Sequence, residues 1–198
     1  MKNRKTRGII YFLVGCLLLL CAGGWSVYNI SEDQNAGREA LAILEELDSI
    51  QNEIEQMEEV SAEEESSIQT IVVDGETFCG RVEIEALGIE LPVYDAWDYS
   101  RLKKAPCRYM GSVSTNDIII AAHNYKTHFG LLHQLEKGEE IKFIDAVGET
   151  YLYRVCEIVT LDGTAVTDMH AGDWDFTLFT CTKGGKQRVT VRCERILE

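Results

Sequence analysis

The chain has 198 residues and a formal net charge of −14, enough for one domain with extensions. The charge is uneven: residues 1–30 carry four bases and no acid, 31–69 carry thirteen acids and one base, and 70–198 carry twenty acids and fourteen bases. No segment could neutralise a run of phosphates, which argues against nucleic acid as a partner.

Residues 8–30 form an uncharged run of 23 residues. At ~1.5 Å per residue a helix here spans the roughly 30 Å hydrocarbon core of a bilayer. Bases before it and acids after it predict an N-terminus inside and the body outside, with Trp25 and Tyr28 at the level of an aromatic belt. A cleaved signal peptide is the rival reading. The length of the run and the bulk of Trp25 and Tyr28 speak against a cut there, and Leu20 speaks against lipidation at Cys21. The reading adopted is an uncleaved anchor, residues 1–30 in all.

Residues 31–69 read as an acidic stalk. Ile43, Leu47, Ile50, Ile54 and Met57 follow 4-3-4-3 spacing, a short heptad seam, and predict a helix over about 36–60. That seam could pair with a second copy or lie on the following domain. Fewer than three heptads make a weak coiled coil, and repulsion among the acids favours extension. A solvated spacer is therefore the simpler expectation.

The folded domain is expected over 70–198 and reads as mainly β. Val82, Ile84 and Ala86 alternate with Arg81, Glu83 and Glu85, a half-buried strand. Ile89, Leu91 and Val93 make a second apolar face. Pro92 within it suggests an edge strand or a bulge. Residues 97–109 read as irregular or briefly helical. The run 117–122 (DIIIAA) is a short strand buried on both faces that ends at His123. Phe129, Leu131, Leu132 and Leu135 suggest a short helix. Residues 140–144 and 149–161 read as a hairpin around Gly148, and 163–175 as a polar loop. Six to eight short strands, one or two short helices and no βαβ rhythm predict a closed or nearly closed β-barrel.

Thr177-Leu178-Phe179-Thr180-Cys181 and Arg188-Val189-Thr190-Val191 flank a turn holding Gly184 and Gly185, a hairpin signal. Pairing would bring Cys181 and Arg188 to the same end. Alternation assigns Val189, Val191 and Cys193 to the core, and Arg188, Thr190 and Arg192 to a surface or cleft. A cysteine attacks as its thiolate, which nearby positive charge favours. A histidine shuttles protons near neutral pH, and an arginine supplies permanent charge and a fork of donors. His123, Cys181 and Arg188 together would suit acyl transfer. The other histidines, His128, His133 and His170, read as surface or core residues. None of the seven cysteines forms a C-x-x-C pair, which argues against a zinc knuckle or a thioredoxin-type site. Cys79, Cys107, Cys156 and Cys193 read as small buried hydrophobes. Scattered acids point to chemistry without a metal or other cofactor.

Ala122-His123-Asn124, the TLFTC strand and the strand opened by Arg188 resemble, in order and separation, the three signatures of the sortase family over about residues 80–198. The anchor before an extracytoplasmic domain resembles it too. The resemblance implies a sortase-like closed β-barrel, preceded here by the transmembrane helix and helical acidic stalk. It implies a cysteine transpeptidase that cuts an LPxTG-like sorting signal between Thr and Gly through a thioacyl intermediate. Cys181 would be the nucleophile, His123 the general acid and then base, and Arg188 the oxyanion and substrate clamp. Thr180 would help position the substrate. The implied partners are surface proteins or pilins bearing a C-terminal sorting signal, with an amine of peptidoglycan or pilin as acceptor. The implied location is a Gram-positive-type cell membrane, N-terminus cytoplasmic. The family often has a proline before its TLxTC strand, whereas the loop 161–175 has none. An endopeptidase that only hydrolyses, and a non-catalytic binding domain on a stalk, remain as alternatives.

Overall fold

In a computed structural model of the chain, residues 2–58, 70–170 and 172–197 are described, with side chains from residue 8 and without those of 53–58. Residues 59–69 of the expected stalk, and the side chains of Ile54 and Met57, lie outside that description. Helix α1 (Lys2–Glu58) opens the chain. The chain divides into two compact units, residues 1–35 and 36–198. In the first, the segment after Gly8 is long and apolar enough to cross a membrane, with a mean hydropathy of 2.1.

The second unit is built on nine strands: β1 (Ile71–Val73), β2 (Glu76–Ile84), β3 (Ile89–Tyr94), β4 (Cys107–Met110), β5 (Ile118–Ala122), β6 (Glu140–Asp145), β7 (Thr150–Asp162), β8 (Phe176–Cys181) and β9 (Gln187–Arg195). The sheet runs β1-β2-β3-β4-β5-β8-β9-β7-β6, and β6 pairs back to β2, so eight strands close into a barrel with β1 outside the ring. Closure depends on Gly80, at a register shift in β2 opposite Asp145. A Cβ there would lie 2.2 Å from the Ile144 carbonyl oxygen, so only glycine lets the two backbones meet. Pro92 sits in β3 opposite Arg81 of β2, while β3 joins β4 through the single pair Tyr94–Cys107. The missing N–H therefore falls on a nearly unpaired edge, as expected.

Two parallel contacts, β3–β4 and β5–β8, interrupt an otherwise antiparallel ring. The core holds the inward set of β2, β3, β5, β8 and β9, including Ile84, Ile118, Ile120, Phe176, Leu178, Val191 and Cys193. The short helix expected over Phe129–Leu135 is instead one 3-10 turn, Leu132–Gln134. Phe129, Leu132 and Leu135 are buried, and their spacing of three matches that tighter helix. Residues 97–109 hold helix α2 (Tyr99–Leu102) and strand β4. The 163–175 loop carries helix α3 (Val166–His170).

The expectation of a solvated spacer does not hold for residues 36–51. Ala36, Ala40, Leu44 and Leu47 are buried, a 4-4-3 stripe down one face of α1. Leu47 joins Ile71, Val73, Phe78, Tyr94, Ala105, Cys107 and Ala146 in a second apolar cluster. Gln51 donates to the Asp145 carbonyl at 2.9 Å, and Arg81 pairs with Asp48 and Glu90. The barrel leaves an apolar patch around Phe78 and Tyr94, and the seam covers it. Covering that patch removes more apolar surface from water than extension would, and the acids of the helix stay on its outer side.

Candidate active site

The site begins with the register of three neighbouring strands. β5 and β8 run parallel, with Ala122 beside Thr180. β8 and β9 run antiparallel, with Thr180 beside Val189 and Cys181 beside Arg188. One residue beyond Ala122 the chain leaves β5 at His123, and one residue beyond Thr180 β8 ends at Cys181. His123, Cys181 and Arg188 thus lie in one row at one end of three strands, with backbones roughly 4.8 Å apart from strand to strand. Thr180 and Ala122 are buried toward the core, so alternation turns Cys181 and His123 to the outer face. Cys181 is half-buried.

The expected hairpin carries this pairing. Thr182 donates its N–H to the Gln187 carbonyl at 2.9 Å, and Gly185 donates to the Thr182 carbonyl at 2.8 Å. Gly184 and Gly185 adopt φ of 92° and 73°, conformations that side chains resist. The Arg188 Nη1 donates to the carbonyls of Gly185 (2.8 Å) and Gln187 (3.1 Å). One nitrogen of the fork is therefore spent on its own turn. This anchors a permanent cation over the turn, on the residue paired across the strands with Cys181.

Thr180, expected to help position a substrate, is buried in the sheet. Its side chain is 3 % exposed, and its hydroxyl donates to the Ala122 carbonyl at 2.8 Å. That bond ties the strand presenting Cys181 to the strand presenting His123. The His123 ring is flanked by Tyr99 (6.0 Å, edge-on) and Tyr125 (4.9 Å, tilted by 31°). The sequence reading named neither tyrosine, and no local spacing marks them.

The outer face of β8 and β9 is not simply solvent-facing. Thr190 is fully buried and Arg192 is 4 % exposed. Arg192 donates through Nη1 to the Met169 carbonyl (2.7 Å) and the Thr177 hydroxyl (2.9 Å), and through Nη2 to the Asp168 carbonyl (2.6 Å). It therefore pins α3 across the sheet. Burial pushes the guanidinium pKa down, and the charge of Glu157 opposes that shift. An arginine keeps its charge nonetheless. Beside it lies a cavity of about 70 Å³, lined by Met110, Asp117, Ile119, Trp174, Thr177 and Arg192 among others. Tyr109 stacks edge-on against Phe179 at 5.4 Å and packs against His170 at 6.0 Å. Tyr109 therefore touches both β8 and α3 over the outer face of the sheet.

The remaining cysteines carry no disulfide among the described residues. Burial pushes the Cys79 thiol up to about 12 and the Cys107 thiol to about 11, and it raises Cys193 as well. Cys156, expected in the core, is half-buried at a register shift in β7. Its thiol donates to the Arg154 carbonyl at 3.4 Å. His128 is buried, whereas His133 and His170 are exposed. Among the described residues no three His, Cys, Asp or Glu side chains converge as a metal site.

A comparison with curated proteins returns no match. Among solved structures, the fold is similar to that of sortase C1 from Streptococcus agalactiae, with a TM-score of 0.56 and 26 % identity, covering 64 % of this chain and 72 % of that one. It is similar to sortase C1 from Streptococcus suis, with a TM-score of 0.53 and 27 % identity, covering 61 % and 74 %. A Group B Streptococcus pilus island 1 sortase C2 shares the fold at a TM-score of 0.55 and 23 % identity, covering 77 % and 97 %. The family model described as the sortase domain matches residues 82–196. That match takes in His123, the strand ending in Cys181 and the strand opened by Arg188, and the chain belongs to the sortase family.

Proposed function

We propose that the chain is a membrane-anchored cysteine transpeptidase acting on an LPxTG-like sorting signal. The observation that carries this reading is the half-buried Cys181 at the end of β8, with Arg188 as its cross-strand partner. His123 closes the adjoining strand. The Cys181 thiolate attacks the Thr–Gly carbonyl carbon, a C–S bond forms, and the carbonyl electron pair moves onto oxygen. Arg188 holds that oxyanion with its remaining donors. As the C–N bond breaks, protonated His123 gives its proton to the departing amine. The thioester then accepts an amine of peptidoglycan or of a pilin. The incoming amine passes its proton to His123 and Cys181 leaves as thiolate. Thr180 acts through its bond to Ala122 rather than by touching substrate. Residues 8–30 anchor the chain with its N-terminus in the cytoplasm, which places the site outside the cell. The substrates are surface proteins or pilins with a C-terminal sorting signal.

The test uses the full chain in detergent and a sorting-signal peptide, with and without an amine acceptor. Transfer product that rises with amine concentration and vanishes in Cys181→Ala is expected. Hydrolysis that ignores amine at every concentration would assign an endopeptidase instead. Processing unchanged in Cys181→Ala would remove both.

A further inference from the structure

The start of the packed segment of α1 is made of small residues, Ala36, Gly37 and Ala40, and larger ones follow at Leu44 and Leu47. Gly37 faces Thr127. A Cβ built on Gly37 would lie 2.9 Å from Thr127 Cγ2 and 3.0 Å from its Cβ, well inside the ordinary carbon–carbon contact. Glycine inside a helix weakens it relative to alanine, so its presence here calls for a close approach. By contrast, Gly8, Gly15, Gly23 and Gly24 of the same helix would meet nothing within 4 Å.

Thr127 belongs to the loop that leaves His123, and that loop has little freedom to yield. Phe129 donates its N–H to the His123 carbonyl at 3.2 Å. His128 and Gly130 both donate to the Tyr125 carbonyl, at 3.0 and 2.8 Å. His128 and Phe129 are fully buried, which fixes the far side of the loop. Tyr125 in turn packs on the His123 ring. A push on Thr127 therefore passes through a hydrogen-bonded turn to the imidazole.

We propose that Gly37 is a positioning residue: its close seat against Thr127 lets the membrane-proximal helix set the loop that orients His123. The catalytic consequence rests on the transpeptidase reading above, whereas the geometric coupling does not. Residues 36–51 are then part of the machinery that places the general acid, not only a tether.

The experiment is a double-mutant cycle in the full chain in detergent, with Gly37→Ala, Thr127→Gly and the pair. Gly37→Ala is expected to lower kcat roughly ten- to hundredfold with KM changed less than about twofold, and to displace the pH–rate profile. In the Thr127→Gly background the added methyl has room, so the same substitution should have little further effect. Histidine imidazole NMR shifts, followed without substrate, should move for His123 in Gly37→Ala and return in the pair. Wild-type kcat with an unmoved His123 resonance would overturn the proposal, as would an equal loss in both backgrounds. Were the wild type to process no sorting peptide, the transpeptidase reading would fall, and the histidine resonance would still decide the coupling.

Discussion

Leu47→Ala measures how far the acidic helix belongs to the folded unit. Leu47 is 2 % exposed and packs in the cluster around Phe78 and Tyr94. Truncating a buried leucine to alanine costs about 2–5 kcal/mol, the removed apolar surface plus the cavity left behind. For a unit of this size each kcal/mol lowers Tm by about 2–4 °C, so a fall of roughly 5–15 °C is expected. Leu41 lies on the same helix but is 60 % exposed, and Leu41→Ala should stay within about 0.5 kcal/mol. The helix propensities of leucine and alanine differ little, so the pair isolates packing from helix formation. Thermal melts of the full chain in detergent, followed by near-ultraviolet circular dichroism, report the tertiary transition. Equal and small shifts for both variants would refute the packing argument and restore the solvated spacer.

Three further outcomes follow from the geometry. Brief iodoacetamide treatment at pH 8, then denaturation and peptide mapping, should mark Cys181 and spare Cys79, Cys107 and Cys193, which are buried and held protonated by that burial; equal labelling of Cys107 and Cys181 would contradict this. Arg188→Lys should reduce kcat by about 10²–10³-fold with little change in Tm, because one ammonium cannot both cap the turn carbonyls of Gly185 and Gln187 and hold an oxyanion; normal turnover would count against the clamp. Asp162 accepts from the Thr164 hydroxyl at 2.6 Å and from its N–H at 2.9 Å, and these bonds hold its carboxyl below the usual range. The folded pKa lies below the unfolded value of about 3.9, so the stabilisation is present above that pH and is lost as pH falls through the folded value. Acid titration below about pH 4 should therefore loosen the turn after β7 more gently in Asp162→Asn than in the wild type, with Trp174 fluorescence as the readout; identical acid profiles would remove Asp162 from the account.

Local chemistry was enough to read several parts of the molecule. An uncharged run of 23 residues declares a membrane-length helix, because burying charge in hydrocarbon is costly. Alternation identifies β2 and the inward set Val189, Val191 and Cys193. Two glycines between apolar runs announce the hairpin that pairs Cys181 with Arg188. Each of these signals acts over a few residues, where backbone geometry and side-chain period are coupled directly.

Other features needed the closed barrel. Thr180 and Ala122 are 58 residues apart, and no periodicity states that β5 and β8 lie parallel and in register, which is what brings His123 beside Cys181. Arg192 occupies an outward strand position whether the face is wet or covered, and only α3 lying over it makes it a buried clamp. A 4-3-4 seam on an acidic helix has the same pattern whether it meets a second helix, solvent or a barrel. Short-range pattern determines which face of each segment avoids water. Which surface that face meets depends on contacts between distant segments, and those exist only once the chain has closed.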